Sequence, residues 1–486
     1  MKAALLLASV AVACVAALPH PDAIPMRARQ GSVYKDSVMA LQWNAANSGW
    51  QRNMTVNYFE QLIDHSNPAL GTFQQRWWGD FSAFTNQSEY AMLYINGEAE
   101  AHGSPDGYPA VYGRNISAAM FGLEHRYYGE SMPAPLTNRS MLNYLTVENA
   151  LADLEAFRLY LQGTVLKKEV KWFICGGSYS GALSAWSKAT YPTSYLAAWS
   201  SSGVVNARFD YYAFDGHIVS VLPAVCEKAI RSVFDQFSAA YDDPTQRAAM
   251  MAIFGTPAYF TKEDMAWMLA DGSAMAVQYG SKNYLCDSIV PLSKTNPFEQ
   301  YSTIIKALWG ESFTSSCYYS TECLSNAQYS DQWAAAGYAW VYQCCSQLAY
   351  WQSGYPNSLR LDVITTDYYI NQCRSAFGQN TFPDTYTFNA KFGGATPNAT
   401  NVIALQGSDD PWQTAGVQAP LGPNYPEVLA QCNGCGHCGD LMSPLPTDPA
   451  SLTAQREAIV NYLDLWLGRQ QQQQVQLPKS KRNKFF

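Results

Sequence analysis

Charge is sparse in this chain. Asp, Glu, Lys and Arg make up 14% of its 486 residues, against about 25% in an average soluble domain. Bases are also in the minority, 31 Lys and Arg to 39 Asp and Glu, for a net charge of −8. That balance argues against nucleic acid and anionic membrane surfaces as partners. Few charges of either sign suit a protein that works in acid. After residue 18 no apolar run reaches bilayer-spanning length, so no membrane span is expected. Histidine is scarce too, with six in the whole chain, which leaves few candidates for a general base.

What is present begins with a leader. Met1-Lys2, an apolar run from Ala3 to Leu18 and the small residues Ala13, Ala16 and Ala17 read as a secretory signal peptide over 1–18. Five Asn-x-Ser/Thr sequons, at Asn53, Asn86, Asn115, Asn138 and Asn398, support export and predict glycosylation. Cysteine usage agrees. Cys14 leaves with the leader and eleven remain, an odd number, so at least one stays free. Cys175, at the end of an apolar strand, is the expected free thiol, and the others are expected in disulfides. Together these predict a secreted protein, or one delivered to a vacuolar or lysosomal lumen.

The chain then divides by texture. Residues 19–55 are mixed and polar, an N-terminal arm or pro-segment. Residues 56–205 alternate strand candidates (Gly71–Trp78, Ala91–Ile95, Ala118–Leu123, Val170–Cys175) with a helix capped by Thr146, the pattern of a parallel sheet covered on both faces. Residues 206–375 are rich in Tyr, Trp and Ala at helical spacing and hold most of the cysteines, which predicts a helical, disulfide-stapled insertion. Residues 376–468 return to strand character at Val402–Leu405 and end in a helix over about 451–467. Residues 469–486, with five consecutive glutamines and a basic patch, predict a disordered tail.

The chemistry centres on Cys175-Gly176-Gly177-Ser178-Tyr179-Ser180-Gly181. A strand meeting small residues around a serine, with a helix following, is the pattern of a nucleophile elbow. Ser180 stands where the last glycine of G-x-S-x-G is usual. An elbow serine needs a base, and the base needs a carboxylate. In this architecture they follow in the order Ser, Asp or Glu, His. His437 lies ahead of the last helix, and Asp410 lies in a loop directly after a strand. Spacing leaves alternatives open. Asp409 serves as well as Asp410, His217 is an outside candidate for the base, and His65 and His125 read as structural. Cys432, Cys435, Cys438 and His437 also have the types and spacing of a small zinc knuckle, although disulfides are favoured in a secreted chain. No cofactor or metal is expected.

Four segments carry a resemblance. Gly176 to Trp186, Glu124-His125-Arg126-Tyr127-Tyr128-Gly129-Glu130-Ser131, Asp410-Pro411-Trp412 and His437-Cys438-Gly439-Asp440-Leu441 together resemble the serine peptidase family of prolylcarboxypeptidase and dipeptidyl-peptidase II. Ser180 and the His437-Cys438 pair are most similar to the secreted fungal acid prolyl endopeptidases. The resemblance implies an α/β-hydrolase core with an inserted helical cap. It implies Ser178 as nucleophile, Asp410 as acid and His437 as base, and cleavage after proline at acidic pH. It further implies oxyanion donors at Tyr179 and Gly97, and substrate contacts from Trp412 and Glu98. Two departures stand out: Ala182 replaces a methionine of larger members, and the loop Asn96–Glu100 lacks a further glycine. The expected partner is a proline-containing peptide or protein, with endopeptidase action favoured over carboxypeptidase or dipeptidyl-peptidase action. An esterase or lipase on the same scaffold, a zinc enzyme built on the cysteine–histidine loop, and a catalytically dead secreted binding protein are the rivals. Acid activity needs the His437 pKa lowered, or a sufficient neutral fraction of the imidazole.

Overall fold

The computed structural model describes residues 53–292, 297–326, 332–355 and 358–469. The expected signal peptide, the arm as far as residue 52 and the tail beyond residue 469 lie outside the described residues. Apolar segments assemble into one eight-stranded sheet. In chain order the strands are Asn57–Leu62 (β1), Thr72–Asp80 (β2), Tyr90–Ile95 (β3) and Ala119–Leu123 (β4). Lys171–Gly177 (β5), Ala197–Ser201 (β6), Val402–Gly407 (β7) and Glu427–Ala430 (β8) complete it. Their spatial order is β1-β2-β4-β3-β5-β6-β7-β8.

From β4 to β8 every pairing is parallel. The expected all-parallel sheet is corrected at one edge, where β1 pairs antiparallel with β2, and β2 with β4. The short link between β1 and β2 holds no crossover helix, and without one consecutive strands can only pair antiparallel. The sequence reading also passed over β1 and β6. Ala197-Ala198-Trp199-Ser200-Ser201 has little intrinsic strand preference. It is a strand because it is buried throughout, between β5 and β7.

Helices cover both faces. Gly107–Asn115 (α1) lies with the C-terminal helix on one face, where Tyr112, Ile459 and Leu463 pack with Met92, Phe173, Trp199 and Ile403. On the other lie Val147–Tyr160 (α2) and Tyr179–Thr190 (α3), whose Leu154, Phe157, Leu183 and Trp186 join Trp172 and Ile174. The Thr146 hydroxyl caps α2 by accepting from Asn149 N–H at 3.2 Å, as expected.

Between β6 and β7 the described chain is helical and holds no strand. Its helices are Ala213–Val221 (α4), Ala224–Tyr241 (α5), Pro244–Phe254 (α6), Lys262–Gln278 (α7) and Lys282–Ile289 (α8). Pro297–Trp309 (α9), Thr321–Asn326 (α10), Gln332–Gln343 (α11), Thr366–Phe377 (α12) and Thr385–Phe392 (α13) follow. The chain closes with Ala450–Trp466 (α14). Disulfides Cys226–Cys286, Cys317–Cys323 and Cys345–Cys373 staple the insertion, and Cys432–Cys435 closes the loop before His437. Cys175 is free and buried, as expected, but Cys344 and Cys438 are free as well. Cys344 stands beside Cys345, which already holds Cys373. Cys438 turns its sulfur toward the elbow, away from the Cys432–Cys435 pair. With Cys432 and Cys435 bonded to each other, the zinc-knuckle reading loses two of its four ligands. No helix among the described residues is long and apolar enough to cross a membrane.

Candidate active site

The strand-to-helix turn forces Ser178 into a backbone geometry that side-chain-bearing residues rarely adopt, φ 59° and ψ −126°. The turn is held by Ser178 N–H donating to Ser201 O at 2.9 Å, and it requires bare backbone nearby. A Cβ on Gly181 would lie 2.4 Å from Ser201 O, so α3 can enter this close to β6 only through a glycine. The serine at position 180 is accommodated because its hydroxyl points toward Gly97 of the loop after β3. A Cβ on Gly97 would meet that hydroxyl at 2.9 Å. Tyr179 opens α3, so its amide is one of those without an intrahelical acceptor.

His437 and Asp410 are brought together by two loops at the C-terminal ends of β7 and β8. His437 Nδ1 lies 2.8 Å from Asp410 Oδ2, and Asp410 is fully buried. The second Asp410 oxygen accepts from Trp412 N–H at 2.9 Å, which fixes the carboxylate's plane. Asp409 is engaged elsewhere. Its carboxylate turns to Lys282 Nζ at 2.9 Å and Gly434 N–H at 2.6 Å. His217 is held by Ser408 O at 3.0 Å, and His65 by Asp153 at 2.8 Å. Among the described residues, neither hydrogen-bonds to Asp410 as His437 does.

The His437 loop meets the elbow directly. A Cβ on Gly177 would lie 2.9 Å from Cys438 Sγ, so Ser178 and His437 are the chain neighbours of a contacting pair. His437 Nε2 is buried and, among the described residues, has no hydrogen-bond partner, the Ser178 hydroxyl included. From the insertion, Gln278 O accepts the His437 amide at 2.6 Å, and the Tyr279 ring stands 6.2 Å from the imidazole. Burial works against the imidazolium. The Asp410 carboxylate, joined by Cys438, outweighs it and holds the pKa well above the ordinary 6.5. That direction runs against the first of the two routes to acid activity, a lowered pKa, and favours the second, the neutral fraction.

Ser178 opens onto a cavity of 120 Å³ whose walls include Glu98, Phe214, Trp340 and Trp412. Trp412 is steadied by its indole N–H donating to Gln278 Oε1 at 3.0 Å, and by Phe214 at 5.0 Å and Tyr211 and Tyr350 at 5.6 Å between ring centroids. Burial raises the Glu98 carboxyl pKa, and His437 pulls the other way. Asp271 also lines the cavity but is ion-paired with Arg360 at 2.8 Å. Sequence reasoning missed Phe214, Tyr279, Tyr318, Tyr319 and Trp340, all from the insertion. Its aromatic richness was visible, but not which rings would face Ser178.

A buried carboxylate–imidazole pair beside a strained elbow serine can generate a nucleophilic alkoxide and carry acyl transfer. The family described as serine carboxypeptidase S28 matches residues 61–459. The chain belongs to the S28 family. This S28 chain is 29% identical over 444 residues to a probable serine protease EDA2 of Arabidopsis thaliana, covering 85% of this chain and 89% of that one. It is 27% identical over 450 residues to the thymus-specific serine protease of Mus musculus, covering 84% and 87%. It is 23% identical over 447 residues to the lysosomal Pro-X carboxypeptidase of Mus musculus, covering 86% and 90%. The chain is thus a serine peptidase on an α/β-hydrolase core.

Proposed function

We propose that this S28 peptidase hydrolyses peptide bonds on the carboxyl side of proline through an acyl-enzyme on Ser178. Ser178 Oγ attacks the carbonyl carbon while His437 Nε2 takes its proton. Asp410 keeps the proton of the neutral imidazole on Nδ1 and balances the imidazolium that forms. Tyr179 N–H and Gly97 N–H meet the oxyanion. His437 then protonates the leaving amine, and a water, activated by the same imidazole, releases the acid and restores Ser178.

The observation that carries this reading is the buried, unpartnered His437 Nε2 beside an elbow serine that opens onto an aromatic cavity. Proline is a rigid apolar ring, and the flat Trp412 face, braced by Phe214, Tyr211 and Tyr350, suits it. The name of the mouse Pro-X carboxypeptidase supports the same residue class. Endopeptidase action is favoured over carboxypeptidase action because, among the described residues, the cavity walls include Glu98 and Asp271 but no lysine or arginine to receive a terminal carboxylate. Release of dipeptides from a free amino terminus is the second reading, favoured by Glu98, whose carboxylate would attract an ammonium group. Export to the cell exterior or to a lytic lumen fits the four disulfides, and all five sequon asparagines are exposed residues, with Asn53 Nδ2 donating to Gly79 O at 2.7 Å.

The test is a blocked peptide with one internal proline, its products read by mass. Cleavage after proline by wild type, and none by Ser178→Ala, is expected. Ester turnover without peptide cleavage points to the esterase, and failure of the folded protein to label with a fluorophosphonate points to the dead binding protein.

A further inference from the structure

One buried imidazole is left unused by this chemistry. His125 follows β4 in the segment Glu124–Ser131, is 5% exposed, and has both ring nitrogens engaged. Nδ1 faces Arg126 O at 2.8 Å. A carbonyl only accepts, so Nδ1 carries the proton and Nε2 is the acceptor. The group facing Nε2 is the Tyr179 hydroxyl at 3.2 Å, which donates to it. Tyr179 OH in turn accepts from Gln343 Nε2 at 2.9 Å, and Gln343 Oε1 accepts from Tyr128 OH at 2.5 Å. Every donor in this chain meets an acceptor, and only neutral His125 permits that.

The two ends of the chain matter for the site. Tyr179 is the residue after Ser178, and its amide is the donor assigned above to the oxyanion. Gln343 ends α11, and Trp340, one turn earlier on the same helix, both lines the cavity and lies 5.6 Å from the Tyr179 ring. We propose that His125 is a positioning residue: through the Tyr179 hydroxyl it ties the start of α3 to cap helix α11 and so holds the oxyanion amide in register with the substrate cavity. This rests on the reading of Ser178 as nucleophile.

Protonation would break the arrangement. A charged His125 donates from Nε2, leaving Tyr179 OH with two donors aimed at it and no acceptor for its own proton. Burial pushes the His125 pKa down to about 4, against the partial support of Arg126 O and Asp153. The titratable and charged groups around the ring are Arg126 and Asp153, Tyr128 and Tyr179, with Glu124 in the same small cavity. The link therefore persists through moderately acid conditions and fails below them.

The experiment compares kcat and KM for H125N, H125Q, Y179F and the double variant H125N/Y179F on one proline peptide, with S178A beside them. Asparagine can keep the bond to Arg126 O but cannot reach Tyr179, whereas glutamine presents an uncharged acceptor where Nε2 was. H125N and Y179F should each lower kcat by about ten- to hundredfold with KM within about threefold. The double variant should lose no more than either single one, because both cut the same link. H125Q should keep kcat within about threefold of wild type and lack only the additional fall that His125 protonation adds below about pH 4 to the decline set by His437. Wild-type kcat in H125N or Y179F, or losses that multiply in the double variant, would overturn the proposal. Should H125N not fold, Y179F decides alone, since it keeps the backbone amide and removes only the link. Activity surviving in S178A would instead sink the proposed function and leave the positioning question behind it.

Discussion

Asp410 and His437 come from two different loops, yet their side chains meet at 2.8 Å with the imidazole turned so that its other nitrogen is free. Replacing the carboxylate by an amide keeps the shape but presents an N–H to Nδ1. The proton then moves to Nε2, the atom that must accept one. Asp410→Asn should fold normally and lose about 10⁴ in kcat. Single-turnover kinetics on a proline peptide, with circular dichroism as the fold check, measure this.

The pH profile follows from the same pair. The His437 pKa is raised in the folded protein, so its imidazolium stabilises the fold fully below the ordinary value of 6.5. That contribution is lost as pH rises through the folded pKa. Catalysis has the opposite sign, because only the neutral ring accepts the Ser178 proton. Log kcat/KM should rise by about one unit per pH unit from about pH 5 upward, and level off only above the ordinary histidine range. A flat profile over that interval would mean that Asp410 does not govern the ring.

How much of this could be read from the sequence depends on how local each feature is. The elbow was legible because its constraints lie within six residues, and the order Ser178, Asp410, His437 because chain order is fixed by topology. Asp409 and Asp410 were not separable, since adjacent residues share every spacing. What separates them is that one meets Lys282 of α8 and the other His437. The helical insertion was legible from texture, but its cavity-facing rings Phe214 and Trp340 depend on how helices pack, which periodicity does not encode. Cys344 and Cys438 were misjudged for the same reason: pairing needs approach in space, which spacing along the chain does not encode.

The contact between Gly97 and Ser180 offers a rescue experiment. Gly97→Ala places a methyl 2.9 Å from the Ser180 hydroxyl and should push the loop after β3 away from the oxyanion. A loss of about ten- to hundredfold in kcat is expected, short of removing the donor outright. Ser180→Gly restores the usual elbow glycine and clears that space, so the double variant should recover most of the loss. No recovery would place the damage elsewhere in the loop.

Trp412 separates proline selectivity from catalysis. Its indole is anchored by Gln278 and ringed by Phe214, Tyr211 and Tyr350, so its removal opens one wall of the cavity and leaves the others standing. Trp412→Ala should lower kcat/KM for a proline peptide far more than for its alanine counterpart, narrowing a preference worth about 1–3 kcal/mol for the ring's apolar atoms. Equal losses on both peptides would mean that Trp412 supports His437, whose ring lies 6.3 Å away, rather than the substrate. Trp412→Phe distinguishes the two further. It keeps a flat face for proline while giving up the Gln278 hydrogen bond, so it should preserve the preference even where overall activity falls.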